Sequence, residues 1–318
     1  MLHFDSSDNQ CDSTPSLSQT IFDNITKFNH EEYQYLQLIE NILDNGEFIQ
    51  SRNGTTKNIF GGSMRFSLKD GSIPFLTTKK LAWKTCLKEL LWFISGDTNN
   101  KTLLDQNVHI WDGNSTRDFL DKAGLSHYPE HILGPIYGFQ WRNFNASYDC
   151  NNGIPLNKGI DQLQYIINQL KNPSTRNSRR LILTAWNPQQ LDQMAIPPCH
   201  VLCQFFVKNG NKLCCSMYQR SVDVALGQPF NIASYSFLTH LIAHHCDLIP
   251  DEFVYFYGNA HLYNDHLEII KEQLERKPYN FPTIQIRHKY EDISDYKMDD
   301  FEILNYKCHL PIKMNMIA

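Results

Sequence analysis

Apolar residues recur every three to four positions in five stretches of the chain, the spacing that gathers them on one face of a helix. Tyr35, Leu38, Ile39, Ile42 and Leu43 follow Glu31 in this way, with Gly46 as a stop. The same spacing predicts helices over Leu81–Ile94, Ile160–Leu170 (ended near Pro173), Ile232–Cys246 and Leu262–Glu275. Shorter apolar runs predict strands at Leu181–Trp186, Val201–Val207, Lys212–Gln219 and Phe253–Tyr257. Lys208-Asn209-Gly210-Asn211 joins the second and third of these strands, and Asn-Gly favours a tight hairpin. Residues 143–159 are polar and rich in Asn and Gly, so they read as a loop. Helices and strands mix without strict alternation. The expectation is an α+β fold, one domain with a large mixed, twisted sheet flanked by helices. Residues 1–28 lack periodicity and are rich in Ser, Asp, Asn, Gln and Thr, which reads as a mobile polar tail ahead of a domain over 29–318.

Composition narrows the function classes. With 318 residues and 42% hydrophobic content the chain can bury a large core. A net charge of -5 argues against broad nucleic-acid binding, RNA included, although local arginines remain available for a small anion. No apolar run approaches a membrane span, and the N-terminus lacks the pattern of a signal peptide. Nine cysteines without framework spacing read as reduced thiols, which points to the cytoplasm or a nuclear pool. No zinc-type spacing is present: Cys199 and Cys203 are four apart and Cys214 and Cys215 adjacent. His240 and His244 lack the glutamate of a zinc-protease helix, so no metal is expected.

Candidate chemistry centres on Pro197-Pro198-Cys199-His200. The prolines stiffen the approach to Cys199 at the mouth of a strand. A thiol there can be a buried small hydrophobe or, if something favours the thiolate, a nucleophile. His200 is the tempting base, but neighbours in extended chain face opposite ways, and Arg220 on the returning strand is the better activator. Glu89 lies on an apolar helix face with Cys86, Trp92 and Phe93 around it. Its carboxyl is expected to titrate high, as suits proton shuttling; the alternative is a structural ion pair. Arg52, Arg179, Arg180 and Arg220 with Ser221 could clamp a phosphate or be solvated charges. Asn231 in Gly227 to Ser234 could cap a helix, or its amide could match the O4 and N3–H edge of uracil. His261 and Tyr263, two apart, face one way in extended chain and could share a hydroxyl.

Ordered blocks from Glu31 to Ala318 resemble the thymidylate synthase family. They include Pro74 to Lys79, Glu89 to Phe93, Ile110-Trp111-Asp112 and Leu133 to Arg142. Arg179-Arg180, Ala185 to Pro188, Pro197 to His200, Tyr218 to Ser221 and Gly227 to Ser234 continue them. The resemblance implies reductive methylation of dUMP to dTMP, with methylenetetrahydrofolate as co-substrate and dihydrofolate as co-product. It implies Cys199 as nucleophile at pyrimidine C6, Glu89 in proton transfer, Tyr137 beside the thiol and Asn231 on the base. Arg52, Arg220 and Ser221 would hold the phosphate, with Arg179 and Arg180 reaching from the second subunit of a homodimer joined through the sheet face. His261 and Tyr263 would hold the deoxyribose hydroxyl. Asp223 would bind the pteridine; Ile110, Trp111, Asn114, Leu226 and Phe230 would shape the folate pocket, closed by the C-terminal Ala318. Chain-specific departures are Asn259 and Asp265, where the family usually has Asp and Asn, and the ending Met316-Ile317-Ala318. A deoxycytidylate hydroxymethylase of the same fold is the nearest rival, against which Asn231 argues; a cysteine hydrolase is the rival from another class.

Overall fold

A computed structural model describes residues 30–51 and 53–315. The expected tail at 1–28 therefore lies outside the described residues, as do Arg52 and Ala318. Six strands form the main sheet: β1 (Glu47–Ser51), β2 (Gly54–Ser67), β3 (Ile182–Thr184), β4 (His200–Lys208), β5 (Lys212–Asp223) and β6 (Ile249–Tyr263). Their spatial order is β1-β2-β6-β5-β4-β3, with β5 and β6 parallel and the other neighbours antiparallel. Five main helices accompany them: α1 (Tyr33–Asn45), α2 (Trp83–Ser95), α3 (Tyr137–Asn143), α4 (Gln162–Lys171) and α5 (Gly227–His245). The α+β expectation therefore holds.

The core forms where α5 packs on β5 and β6 and α1 packs on β2, with α2 packed against α5. Alternate residues of β4 (Cys203, Phe205, Val207), β5 (Leu213, Cys215, Met217) and β6 (Phe253, Tyr255) are buried there. The central helix α5 is apolar nearly all round, with Phe237, Leu238, Leu241 and Ile242 fully covered, as a helix inside a core must be. Helix α2 ends at Gly96, whose φ of 78° is the left-handed conformation that suits glycine at a helix C-terminus. Gly138 lets α3 approach α2 closely: a Cβ there would meet the Phe93 carbonyl oxygen at 2.5 Å. Because α3 begins at Tyr137, this contact brings Tyr137 beside α2 and its Glu89.

One expectation needs correction, and one hairpin lies outside the predicted elements. Leu262–Glu275 is not a helix. Leu262 and Tyr263 pair with Lys57 and Thr56 of β2 and prolong β6 well past Tyr257. Beyond the strand the chain makes a 3-10 turn at Asn264–His266 and a short helix at Lys271–Leu274. Cross-strand pairing has overridden an ambiguous local pattern. The β1–β2 hairpin is absent from the predicted elements, although Asn53-Gly54 at its turn is a hairpin signature and Gly54 takes a φ of 122°. The polar loop around 143–159 holds only a two-residue ladder, Tyr148–Asp149 against Ile154–Pro155.

Candidate active site

The parallel β5–α5–β6 unit and the antiparallel β4 bring four chain ends to one edge of the sheet. Cys199 precedes β4, Arg220, Ser221 and Asp223 end β5, and Asn231 lies early in α5. His261 and Tyr263 end β6. Asn231 is within α5 and not its cap, since the helix already starts at Gly227. A ligand crevice beyond the carboxyl ends of parallel strands is where such units usually bind.

Two cavities open along this edge and meet at Cys199. One, of about 640 Å³, has Asn58, Arg220, Ser221, Asn259, His261 and Tyr263 in its wall. The other, of about 490 Å³, is lined by Phe93, Ile110, Trp111, Leu226, Phe230 and Met314, with Glu89, Tyr137, Gln219 and Asn231 at its depth. Asn114, Ile196, Cys199, Ser221 and Asp223 belong to both walls. The cleft thus joins a lobe rich in polar side chains, the polar lobe, to one richer in apolar side chains, the apolar lobe, with a thiol between them.

Around the thiol, each contact restrains position as well as charge. The Cys199 amide donates to Tyr137 Oη at 2.7 Å, and the Cys199 carbonyl accepts from the Arg220 amide at 3.0 Å. Arg220 Nε and Nη2 donate to the carbonyls of Pro198 and Pro197, at 2.9 and 2.8 Å. The same Nη2 stands 3.8 Å from Cys199 Sγ, and the guanidinium lies over the Trp186 ring at 5.6 Å. A planar fork fixed at three points holds its cation at the sulfur, where it favours the thiolate. His200 turns instead into the aromatic core, its ring 5.1 Å from Tyr137 and 5.4 Å from Tyr235. Burial drives its pKa down to about 4, so it is neutral at physiological pH. Burial likewise pushes the Tyr137 phenol far above its usual range.

Glu89 meets the expectation of a high-titrating carboxyl. It is buried, and burial raises its pKa to about 7, opposed by the Trp111 Nε1 proton donated to its Oε1 at 2.8 Å. Asp223 is raised by burial as well, opposed first by His261; its Oδ1 accepts from the amides of Ala225 and Leu226. The His261 imidazole, lowered by burial, meets Asn259 Oδ1 through Nδ1 at 2.9 Å. Asn231 Oδ1 accepts from Gln219 Nε2 at 2.9 Å, a contact that single-sequence reading does not anticipate because it depends on strand-to-helix packing.

Some expected members stand apart. Arg179 and Arg180 are exposed and line neither lobe. Among the described residues no group of three or more His, Cys, Asp or Glu could hold a metal ion, and no helix is long and apolar enough to cross a membrane.

Residues 33–318 match the family model described as thymidylate synthase. The chain belongs to the thymidylate synthase family. It is 50% identical over 299 residues to a bifunctional dihydrofolate reductase-thymidylate synthase of Plasmodium chabaudi, covering 94% of this chain and 51% of that protein. The like-named protein of Paramecium tetraurelia is 51% identical over 289 residues (90% and 61%), and that of Zea mays 49% over 288 residues (90% and 54%). The chain therefore spans about half to three fifths of the length of these thymidylate synthase relatives.

Proposed function

We propose that the chain catalyses reductive methylation of dUMP to dTMP at the cleft between the two lobes. The observation that carries this reading is Cys199, held at the junction with the Arg220 guanidinium 3.8 Å from its sulfur and with Glu89 and Asn231 in the wall of the apolar lobe.

The polar lobe suits a nucleoside monophosphate. Arg220 and Ser221 supply a cation and a hydroxyl for phosphate oxygens, and His261 and Tyr263 form the wall for a sugar hydroxyl. Arg52, and a partner subunit's copies of the exposed Arg179 and Arg180, complete the phosphate site in this reading. The apolar lobe fits a flat ring system: Trp111, Ile110, Leu226 and Phe230 give stacking surface, and Asn114 and Asp223 give polar contacts. Methylenetetrahydrofolate bound there supplies the one-carbon unit and the hydride. Ala318 is assigned to closing this lobe at the C-terminus.

In the chemical sequence, the Cys199 thiolate adds to pyrimidine C6, and the ring's electron pair moves toward C5 and O4. Asn231 holds O4 and N3–H and steadies the charge that grows on O4. Glu89, near neutrality in pKa, moves protons at the pyrimidine edge through water. Expulsion of the thiolate at the end restores the ring, and Arg220 stabilises the leaving sulfur as it stabilised the attacking one. Tyr137 keeps the Cys199 main chain in register throughout.

A homodimer is part of the proposal. On the sheet face away from the helices, Phe206 is 53% exposed, Phe256 43%, Ile182 43% and Tyr218 38%. A face bearing these exposed apolar side chains suits a second copy of the chain, which would bury them and bring in Arg179 and Arg180.

The test is tritium release from C5-labelled dUMP with and without methylenetetrahydrofolate. Folate-dependent release, lost in Cys199→Ser, is the expected result. Release that survives in Cys199→Ser, or none in the wild type, overturns the reading.

A further inference from the structure

Buried polar side chains run in a line from the core to the cleft. Gln228 and Tyr255 are fully covered, Gln219 is 3% exposed and Asn231 9%. The Tyr255 hydroxyl donates to Gln219 Oε1 at 2.8 Å. Gln219 Nε2 donates to the Ser221 carbonyl at 3.0 Å and to Asn231 Oδ1 at 2.9 Å.

The direction of this series is dictated by one group. The two ends of an amide are told apart only by their partners. A main-chain carbonyl can only accept, so the Gln219 atom facing Ser221 must be nitrogen. The second proton of that nitrogen then faces Asn231, whose nearest atom must be oxygen. Gln219 Oε1 is left for Tyr255, whose hydroxyl must donate. Asn231 Nδ2 is thereby turned to face away from Gln219, and Asn231 itself lines the apolar lobe beside Cys199.

We propose that Gln219, held by Tyr255 and the Ser221 carbonyl, is a positioning residue that locks Asn231 in one amide orientation and so makes the cleft select a uracil edge over a cytosine edge. This rests on the dUMP reading above. In the locked orientation Nδ2 donates to O4, and the second lone pair of Oδ1 accepts from N3–H. Cytosine offers an amino group at C4 and an unprotonated N3. To match it the Asn231 amide must turn over, which sets its Nδ2 against Gln219 Nε2, two donors with no acceptor between them. Buried donors left in that state are strongly disfavoured. Selection therefore depends on residues behind the one that touches the base.

Two substitutions test this, each read by calorimetric binding of dUMP and dCMP to the full chain. Gln219→Glu replaces the donor by a carboxyl that, protonated in this buried place, donates to the Ser221 carbonyl and accepts from a turned-over Asn231. The dUMP-to-dCMP affinity ratio is expected to fall about tenfold or more, equivalent to ~1.4 kcal/mol, with dCMP binding stronger in absolute terms. Tyr255→Phe removes one of the two restraints on Gln219, and the ratio is expected to fall roughly threefold to fivefold. A purely structural role weakens both nucleotides alike and cannot strengthen dCMP. If Gln219→Glu does not fold, the Tyr255→Phe ratio decides. A wild-type chain that binds no dUMP sinks the functional reading itself. A wild type that selects dUMP, with the same ratio in every folded variant, overturns the lock alone.

Discussion

Cys199 and Cys203 stand four residues apart where β4 begins, yet they meet opposite surroundings. Cys203 is 1% exposed on the helix-covered face, and burial, reinforced by Cys215, pushes its thiol well above the ordinary range. Cys199 is half-buried at the strand mouth with a guanidinium nitrogen 3.8 Å from its sulfur. Cys214, on β5, is likewise half-buried, but its neighbour is Asp251, and burial together with that carboxylate raises its pKa to about 11. Exposure alone therefore does not favour a thiolate. The sign of the nearest charge separates Cys199 from Cys214, and both burial and charge separate it from Cys203.

The sharpest way to break this contrast is Cys199→Ser. A serine hydroxyl is not ionised by a guanidinium at neutral pH, so kcat should fall by roughly 10³-fold or more while dUMP binding, read by calorimetry, stays within a few-fold. Arg220→Lys keeps a cation but loses the fork that grips Pro197 and Pro198. A fall in kcat/KM of roughly 10²-fold is expected, with more of it in kcat than a pure phosphate contact would give.

Glu89→Gln separates chemistry from stability. Burial raises the folded-state pKa to about 7, above the ordinary 4.5, so between these values the folded chain holds a proton that the unfolded chain has released. The stability from that proton is fully present below about 4.5 and is lost as pH rises through about 7. Glu89→Gln should therefore lose activity yet resist urea better than the wild type at pH 8, by about 1–3 kcal/mol, with the gap closing at low pH. Trp111→Phe removes the proton donor that holds the Glu89 pKa down, so the acid limb of the kcat profile should move to higher pH. The smallest effect on turnover is expected from Cys203→Ser: activity within a few-fold of wild type, but stability lower by about 1–3 kcal/mol in urea melts, because a hydroxyl enters an apolar site.

Much of this was legible in the sequence, for identifiable reasons. The 81–94 periodicity located α2 to within two residues and placed Glu89 on its buried side. Asn209-Gly210 marked the β4–β5 hairpin, which in turn carried Arg220 back to Cys199. The features that escaped depend on partners far away in the chain. Leu262 and Tyr263 are strand residues because β2 lies beside them, and no window around them contains β2. The Asn53-Gly54 turn was visible, but the mixed polarity of Gly54–Ser67 hid its strand. The series from Tyr255 to Asn231 joins two strands and a helix, so no local spacing could reveal it.

The central claim is that Cys199, and not another thiol of the chain, attacks the nucleotide. Wild-type protein turning over dUMP and methylenetetrahydrofolate, quenched in acid, digested and weighed by mass spectrometry, tests it directly. The account predicts nucleotide mass on the peptide containing Cys199 and unmodified peptides for Cys203 and Cys214. Nucleotide on either of those peptides, or steady turnover with no adduct on Cys199, would contradict it.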